Sequence, residues 1–271
     1  MTIMKQIKNL ILDMDGVLWR GETPMPGLAD FFATLRRLNI NFVLATNNAT
    51  KTAVMYTEKL ARFGVSIPPR QILTSAEITA AYLSEQYEPG TAVYVVGEQG
   101  LRDALTAQNF RILTAQEVND GAFAPLVVAG FTRHVTYPEL AMGSLLVHKG
   151  ARFIGTNPDP SIPSEIGPLP GAGALQAVIA TATGVAPTII GKPAPIVFRQ
   201  ALKRLASTTA DTAMVGDRLT TDIKGGRDAG LFTILLLSGI STRDDIERTG
   251  IQPDHVFQDI NDLAASLVEN H

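Results

Sequence analysis

Short, wholly apolar runs alternate along this chain with longer stretches in which apolar residues recur at helical spacing. Leu10-Ile11-Leu12, Phe42-Val43-Leu44-Ala45 and Ala213-Met214-Val215 are runs of the first kind. They have the pattern of strands buried on both faces of a parallel sheet. Leu28, Phe31, Phe32, Leu35 and Leu38 fall on one face of a helix over 28–38. A second helix is predicted to run to about Phe63, with Gly64 as its C-cap. A short strand over 72–75 and a helix over 76–87 follow. This βαβα order implies a parallel sheet. Trp19 to Gly27, rich in Gly and Pro, reads as a loop or small flap.

Pro89-Gly90 punctuates the chain, and a second alternation begins. Strands are predicted over 92–96, 126–130 and 152–156, with helices over 101–108 and 138–149. A loop over 157–171 carries Pro158, Pro160, Pro163, Pro168 and Pro170. A helix over 172–183 then closes at Gly184. Afterwards the first pattern resumes: a helix over 196–205, the strand at Ala213-Met214-Val215, a helix over 220–230, a strand over 232–237 and two terminal helices. The expected architecture is α/β, a doubly wound parallel-sheet core (residues 1–88 and 185–271) interrupted by an inserted α/β domain (89–184). No fixed-period repeat or low-complexity tract interrupts it.

Composition narrows the class. The 271 residues are 45% hydrophobic and 18% charged, as in an ordinary globular protein. A net charge of −3 supplies no basic stripe for nucleic acid and no polybasic membrane surface. The absence of cysteine excludes disulfides, thiolate metal sites and cysteine nucleophiles. After Lys5 and Lys8 only three apolar residues precede Asp13, too few for the core of a signal peptide, and no run approaches a membrane span. A cytoplasmic protein is the expectation.

Candidate chemistry gathers where predicted strands end. Asp13 and Asp15, spaced i and i+2 with Gly16 behind them, end the first strand. A turn at the glycine lets both converge beyond the strand's C-terminal end, where open α/β sheets bind ligands. Two carboxylates so close repel unless a cation or shared proton compensates. A calcium loop is excluded, because Leu18 stands where it needs glycine and Pro24 where it needs glutamate. Thr46-Asn47-Asn48, Lys192 and Asp217 with Asp222 supply the other clusters. Each alone has a commoner reading: a helix cap, a solvated lysine, a turn, an exposed helix residue. Together, at strand ends in this order, they form a kit for a phosphate monoester and Mg²⁺. Asp13 suits the nucleophile and Asp15 the general acid/base. Lys192, Thr46, Asn47 and Asn48 suit the phosphoryl oxygens. Asp217 suits the metal, and Asp222 the orientation of Lys192 or of Asp217's water. Trp19, beside the carboxylates, lines a pocket or, more commonly for an indole, packs in the core.

These motifs, Asp13-Met14-Asp15-Gly16-Val17-Leu18, Thr46-Asn47-Asn48, Gly191-Lys192-Pro193 and Gly216-Asp217-Arg218-Leu219-Thr220-Thr221-Asp222, resemble in order those of the haloacid dehalogenase-like (HAD) superfamily. The closer resemblance is to subfamily IIA, the NagD-like and p-nitrophenyl phosphatase-like branch. It implies a Rossmann-like core with a large α/β cap between the second and third motifs. It also implies Asp13 as nucleophile, Asp15 as acid/base, and Mg²⁺ held by Asp13, the Asp15 backbone carbonyl and Asp217, with Asp222 in support. Thr156-Asn157-Pro158-Asp159 resembles the cap loop that faces the active site, making Asn157 and Asp159 candidates for substrate contacts. The expected partner is a small phosphate ester, with no nucleic acid or membrane. Sugar phosphates, nucleoside monophosphates, phosphoglycolate and pyridoxal phosphate stay open, as does the choice of monomer or homodimer.

Two rivals use the same features. A receiver-like signalling domain also clusters aspartates, a hydroxyl and a lysine, but orders them differently and has no large insert. A catalytically idle binding protein could keep the fold, yet has no need of mutually repelling carboxylates. Gly171-Ala172-Gly173-Ala174 reads as a helix start rather than an anion loop. His134, His148, His255 and His271 show no ligand spacing and read as structural or surface residues.

Overall fold

The apolar runs form strands, and the strands form two parallel sheets. The computed structural model describes residues 3–162 and 166–270. Pro163 and His271 lie outside the described residues. The chain divides into two units: 1–46, 53–73 and 192–271 make the first, and 47–52 with 74–191 the second.

In the first unit the sheet order is His255–Phe257, Phe232–Leu236, Thr212–Gly216, Asn9–Leu12, Asn41–Thr46 and Ile72–Thr74. The pairings from His255–Phe257 through Asn41–Thr46 are parallel. The chain winds outward from Asn9–Leu12 in one direction, and after the insert returns to wind outward in the other. That reversal places a topological switch point at the C-terminal end of Asn9–Leu12. Register does the rest: Leu12 pairs with both Leu44 and Val215, so Asp13, Thr46 and Asp217 emerge at one sheet edge. Helix Leu28–Arg37 buries Leu28, Phe31, Phe32 and Leu35, four of the five residues in the stripe read from its spacing; Leu38 is its half-buried C-cap. Each such side chain contributes about 1.5–3 kcal/mol on full burial.

The second unit holds its own parallel sheet, in the order Thr188–Ile189, Arg152–Gly155, Leu126–Ala129, Ala92–Val96 and Arg111–Leu113. Tyr94, Val96, Val127, Ala129, Leu146, Phe153 and Ile179 form its core. Three of its helices start at reciprocal caps: the side chains of Thr74, Thr114 and Thr136 accept from the backbone three residues on, where Glu77, Glu117 and Glu139 reach back.

Several elements differ from their predicted form. The unit boundaries fall at Thr74 and Gly191 instead of residues 89 and 184. Helix Ser75–Ser84 packs on helix Gln99–Ala107, and local hydrogen bonds reinforce the division. Arg152 donates to Tyr82 Oη at 3.0 Å and Gln86 Oε1 at 2.8 Å, joining the end of helix Ser75–Ser84 to the second sheet. Gly191 N–H donates to Thr156 O at 2.9 Å. The expected helix over 220–230 is a wide turn over Leu219–Ile223 leading into a short helix, Lys224–Asp228. The flap is a two-stranded hairpin, Trp19–Arg20 with Thr23–Pro24, and the proline-rich loop carries another, Ser161–Ile162 with Leu169–Pro170. Among the described residues no helix is long and apolar enough to cross a membrane.

Candidate active site

Asp13 follows the last residue of a fully buried strand, and its own N–H continues the ladder to Val215 O at 2.9 Å. Its carboxylate is thereby aimed by sheet geometry. Lys192 Nζ lies 2.5 Å from Asp13 Oδ1 and 2.8 Å from Asp222 Oδ1, with the lysine only 2% exposed. Asp222 Oδ2 accepts from Arg218 N–H at 3.1 Å, and Asp217 Oδ2 accepts from Ile240 N–H at 2.8 Å. Asp13, Asp217 and Asp222 each bring an oxygen within 4.8 Å of the others. The expected cluster of Asp13, Lys192, Asp217 and Asp222 is thus one site in the first unit.

Glycine makes room for it. A Cβ on Gly239 would stand 1.9 Å from Asp217 Oδ2, and one on Gly216 would stand 2.3 Å from Asp222 Cβ. At Gly16 the φ of +85° is itself the left-handed region, and a Cβ would meet Asp217 Oδ2 at 2.4 Å.

Three buried carboxylates face one ammonium, and the electrostatics register the imbalance. Burial raises the Asp13 carboxyl well above its usual value; Lys192 opposes this, while Asp222 and Asp217 add to it. Burial, then Asp222, pushes Asp217 up to about 6. Burial works against the Lys192 charge, but Asp13 and Asp222 outweigh it and raise its pKa. Hard oxygen donors, closely grouped and short of positive charge, suit a divalent cation such as Mg²⁺. Asp15 differs from its neighbours: it is exposed, and its Oδ1 accepts from Trp19 Nε1 at 2.8 Å.

Thr46 is buried at the end of its strand. Tyr56, which its helical spacing alone marks as core, adds a buried phenol to this region. Burial first, then the Asp15 charge, pushes it up, with Thr46 acting in the opposite sense.

The remaining expected residues lie in the second unit. Asn157 Nδ2 donates to Asn47 O at 2.8 Å, Asp159 N–H donates to Asn157 Oδ1 at 3.1 Å, and Asn47 Nδ2 donates to Asp159 Oδ2 at 3.2 Å. Buried Gln176 completes the group by donating to Asn157 O and Ala129 O, both at 3.0 Å; its position within an apolar helix carried no signal. Asn48 Oδ1 accepts from Thr50 N–H and Oγ1 at 2.8 and 2.7 Å, a turn-closing role. At the 172–183 helix start, Gly171 and Gly173 donate to Pro160 O and Asp159 O, so those N–H groups hold the loop itself. His134, His148 and His255 belong to no metal-ligand group among the described residues.

The chain matches the haloacid dehalogenase-like hydrolase family over residues 10–111 and the HAD-hydrolase-like family over residues 189–263. An acid sugar phosphatase of Staphylococcus aureus is 41% identical over 264 residues, covering 97% of this chain and 99% of the relative. This chain belongs to the haloacid dehalogenase-like hydrolases. Within them it falls in subfamily IIA, and it is a phosphatase. NagD from E. coli K-12 superimposes with a TM-score of 0.85 at 36% identity, covering 94% of this chain and 97% of NagD. A glycerol phosphate phosphatase from Mycobacterium tuberculosis in complex with magnesium gives 0.87 at 30% identity, covering 97% of this chain and 78% of that one. Membership in this phosphatase branch displaces the receiver-like and catalytically idle alternatives.

Proposed function

We propose that this HAD phosphatase hydrolyses small phosphate monoesters by transferring the phosphoryl group to Asp13 and then to water. Lys192 engages Asp13 Oδ1, which leaves Oδ2 as the attacking oxygen. Attack forms an aspartyl-phosphate as the bond to the leaving oxygen breaks, and Asp15 gives that oxygen its proton. Asp15 then takes a proton from the water that attacks the aspartyl-phosphate, releasing phosphate and regenerating both aspartates. Lys192 and Thr46, with donors of the Asn47-Asn48 segment, stabilise charge on the phosphoryl oxygens. Asp13, Asp217 and the Asp15 backbone carbonyl would hold Mg²⁺, with Asp222 in support through its bond to Arg218 N–H. When bound, the ion supplies positive charge beside the phosphoryl group.

The observation that carries this reading is the Lys192 bridge between Asp13 and Asp222, among three carboxylates grouped within one cation's reach. Asn157 and Asp159 are assigned to leaving-group recognition on the strength of their loop motif. The 41%-identical acid sugar phosphatase makes sugar phosphates the first substrates to test.

The decisive variant is Asp13→Asn. It should abolish Mg²⁺-dependent hydrolysis of p-nitrophenyl phosphate while leaving the circular dichroism spectrum unchanged. Retained turnover would remove Asp13 as nucleophile.

A further inference from the structure

Trp19 is wholly buried, as a packed indole should be. Its ring stacks on Tyr56 with centroids 6.1 Å apart and planes 19° apart, and meets Phe63 at 6.2 Å. Lys59 Nζ sits 4.5 Å from the ring centroid, although Lys59 is itself only 4% exposed. That ammonium donates to Gly21 O at 2.6 Å and pairs with Glu22 Oε1 at 3.3 Å. The ring is therefore held by an aromatic neighbour, by a cation and by its own hairpin. A purely hydrocarbon ring could stack there but could not donate a hydrogen bond. What indole adds is one N–H, and it donates to Asp15 Oδ1 at 2.8 Å. The main chain repeats the link: Gly16 N–H donates to Trp19 O at 2.8 Å, and Leu18 N–H to Met14 O at 2.8 Å.

Asp15 is exposed, so water could satisfy both its oxygens. It is instead tied on one side to a rigid, buried donor. The consequence is chemical. A carboxyl group that gives and takes a proton must present one oxygen consistently. An indole N–H can only donate, so it favours Oδ1 as the acceptor oxygen and leaves Oδ2 to carry the proton. It also restricts the rotation of an exposed side chain whose placement sets the proton-transfer geometry.

We propose that Trp19 is a positioning residue for Asp15, and that Lys59 supports it by clamping the indole ring from above. This rests on the reading of Asp15 as general acid/base, and the test separates the two.

Trp19 is the chain's one tryptophan, so biosynthetic replacement of tryptophan by its benzothiophene analogue alters this site alone. Sulfur replaces the N–H while ring size and shape are nearly kept. kcat/KM is then measured with Mg²⁺ across aryl phosphates from p-nitrophenyl to p-methylphenyl phosphate, the second having the leaving group that most needs a proton. The substituted protein should lose about tenfold or more on the poor leaving group, as expected for one hydrogen bond to a charged group. It should lose about twofold or less on p-nitrophenyl phosphate. Lys59→Met should tilt the series in the same direction by less. Asp15→Asn, run alongside, must tilt it most. An equal loss on all substrates, or no loss, in the benzothiophene protein while Asp15→Asn tilts the series would overturn the positioning role alone. A flat series for Asp15→Asn would overturn the acid/base reading, and the proposal with it.

Discussion

The first unit and the second each gather polar side chains from distant parts of the chain, and they hold them by opposite means. Asp13, Asp217 and Asp222 are aimed by strand ends, backbone N–H groups and glycines with no room for a side chain. Asn47, Asn157, Asp159 and Gln176 are held largely by one another and by nearby backbone, donor to acceptor. The first group has one ammonium for three carboxylates; the second contains a single carboxylate among amides. A satisfied network fixes the shape of a loop. An unbalanced one persists only where the scaffold enforces it, and it is prepared for a charged ligand.

The contrast breaks most visibly at Lys192. Lys192→Met leaves buried Asp13 and Asp222 without the ammonium that pairs them, and the metal-free protein should lose about 3–5 kcal/mol of stability in urea unfolding. Mg²⁺ should recover part of that loss, and turnover should fall about 10²-fold or more. Unchanged unfolding would mean that the ammonium does not balance the site.

Gly239→Ala tests whether the scaffold enforces the group. Its Cβ, 1.9 Å from Asp217 Oδ2, must displace that carboxylate. The concentration of Mg²⁺ giving half-maximal activity should rise about tenfold or more. An unaltered metal requirement would count against Asp217 as a ligand.

Acidity separates the units next. Asp217 titrates near 6 in the folded metal-free protein, above the ordinary carboxylate value of 3.8. The folded state therefore binds more protons than the unfolded state between those values, and this group's contribution makes stability fall as pH rises through that window. In a chelator, the melting temperature of the native protein should fall, relative to Asp217→Asn, between pH 4 and pH 6. Mg²⁺ should raise it more above pH 6 than below pH 4. Parallel profiles for the two proteins would refute the assignment.

The smallest effect belongs to the second unit. Asp159→Asn weakens the hydrogen bond from Asn47 Nδ2 at 3.2 Å, and should change stability by about 1 kcal/mol. The metal requirement should stay as it is. A shift in the Mg²⁺ titration would show that the two groups are not independent.

Much of this was legible along the chain. Asp13 and Asp217 are recognisable because apolar runs mark buried strands, and a parallel sheet brings strand ends to one edge; Lys192, in a loop, is recognisable only through the Gly191-Lys192-Pro193 motif. The short strands Arg111–Leu113, Thr188–Ile189 and His255–Phe257 escaped because two or three residues carry no periodicity. Helix Ser75–Ser84 was assigned to the core by its place in the order. Its packing on helix Gln99–Ala107, reinforced by the bond from Arg152 to Tyr82 some seventy residues away, puts it in the second unit.

Local pattern by itself determined the longer strands, most helices, the interrupted α/β order and the residues able to do phosphoryl chemistry, because burial and backbone preference act over a few residues. Only the tertiary structure decided that Asn48 closes a turn, that Gln176 joins a polar network, and that the Trp19 N–H reaches Asp15. A hydrogen bond depends on where a donor points, and that direction is set by every element packed around it.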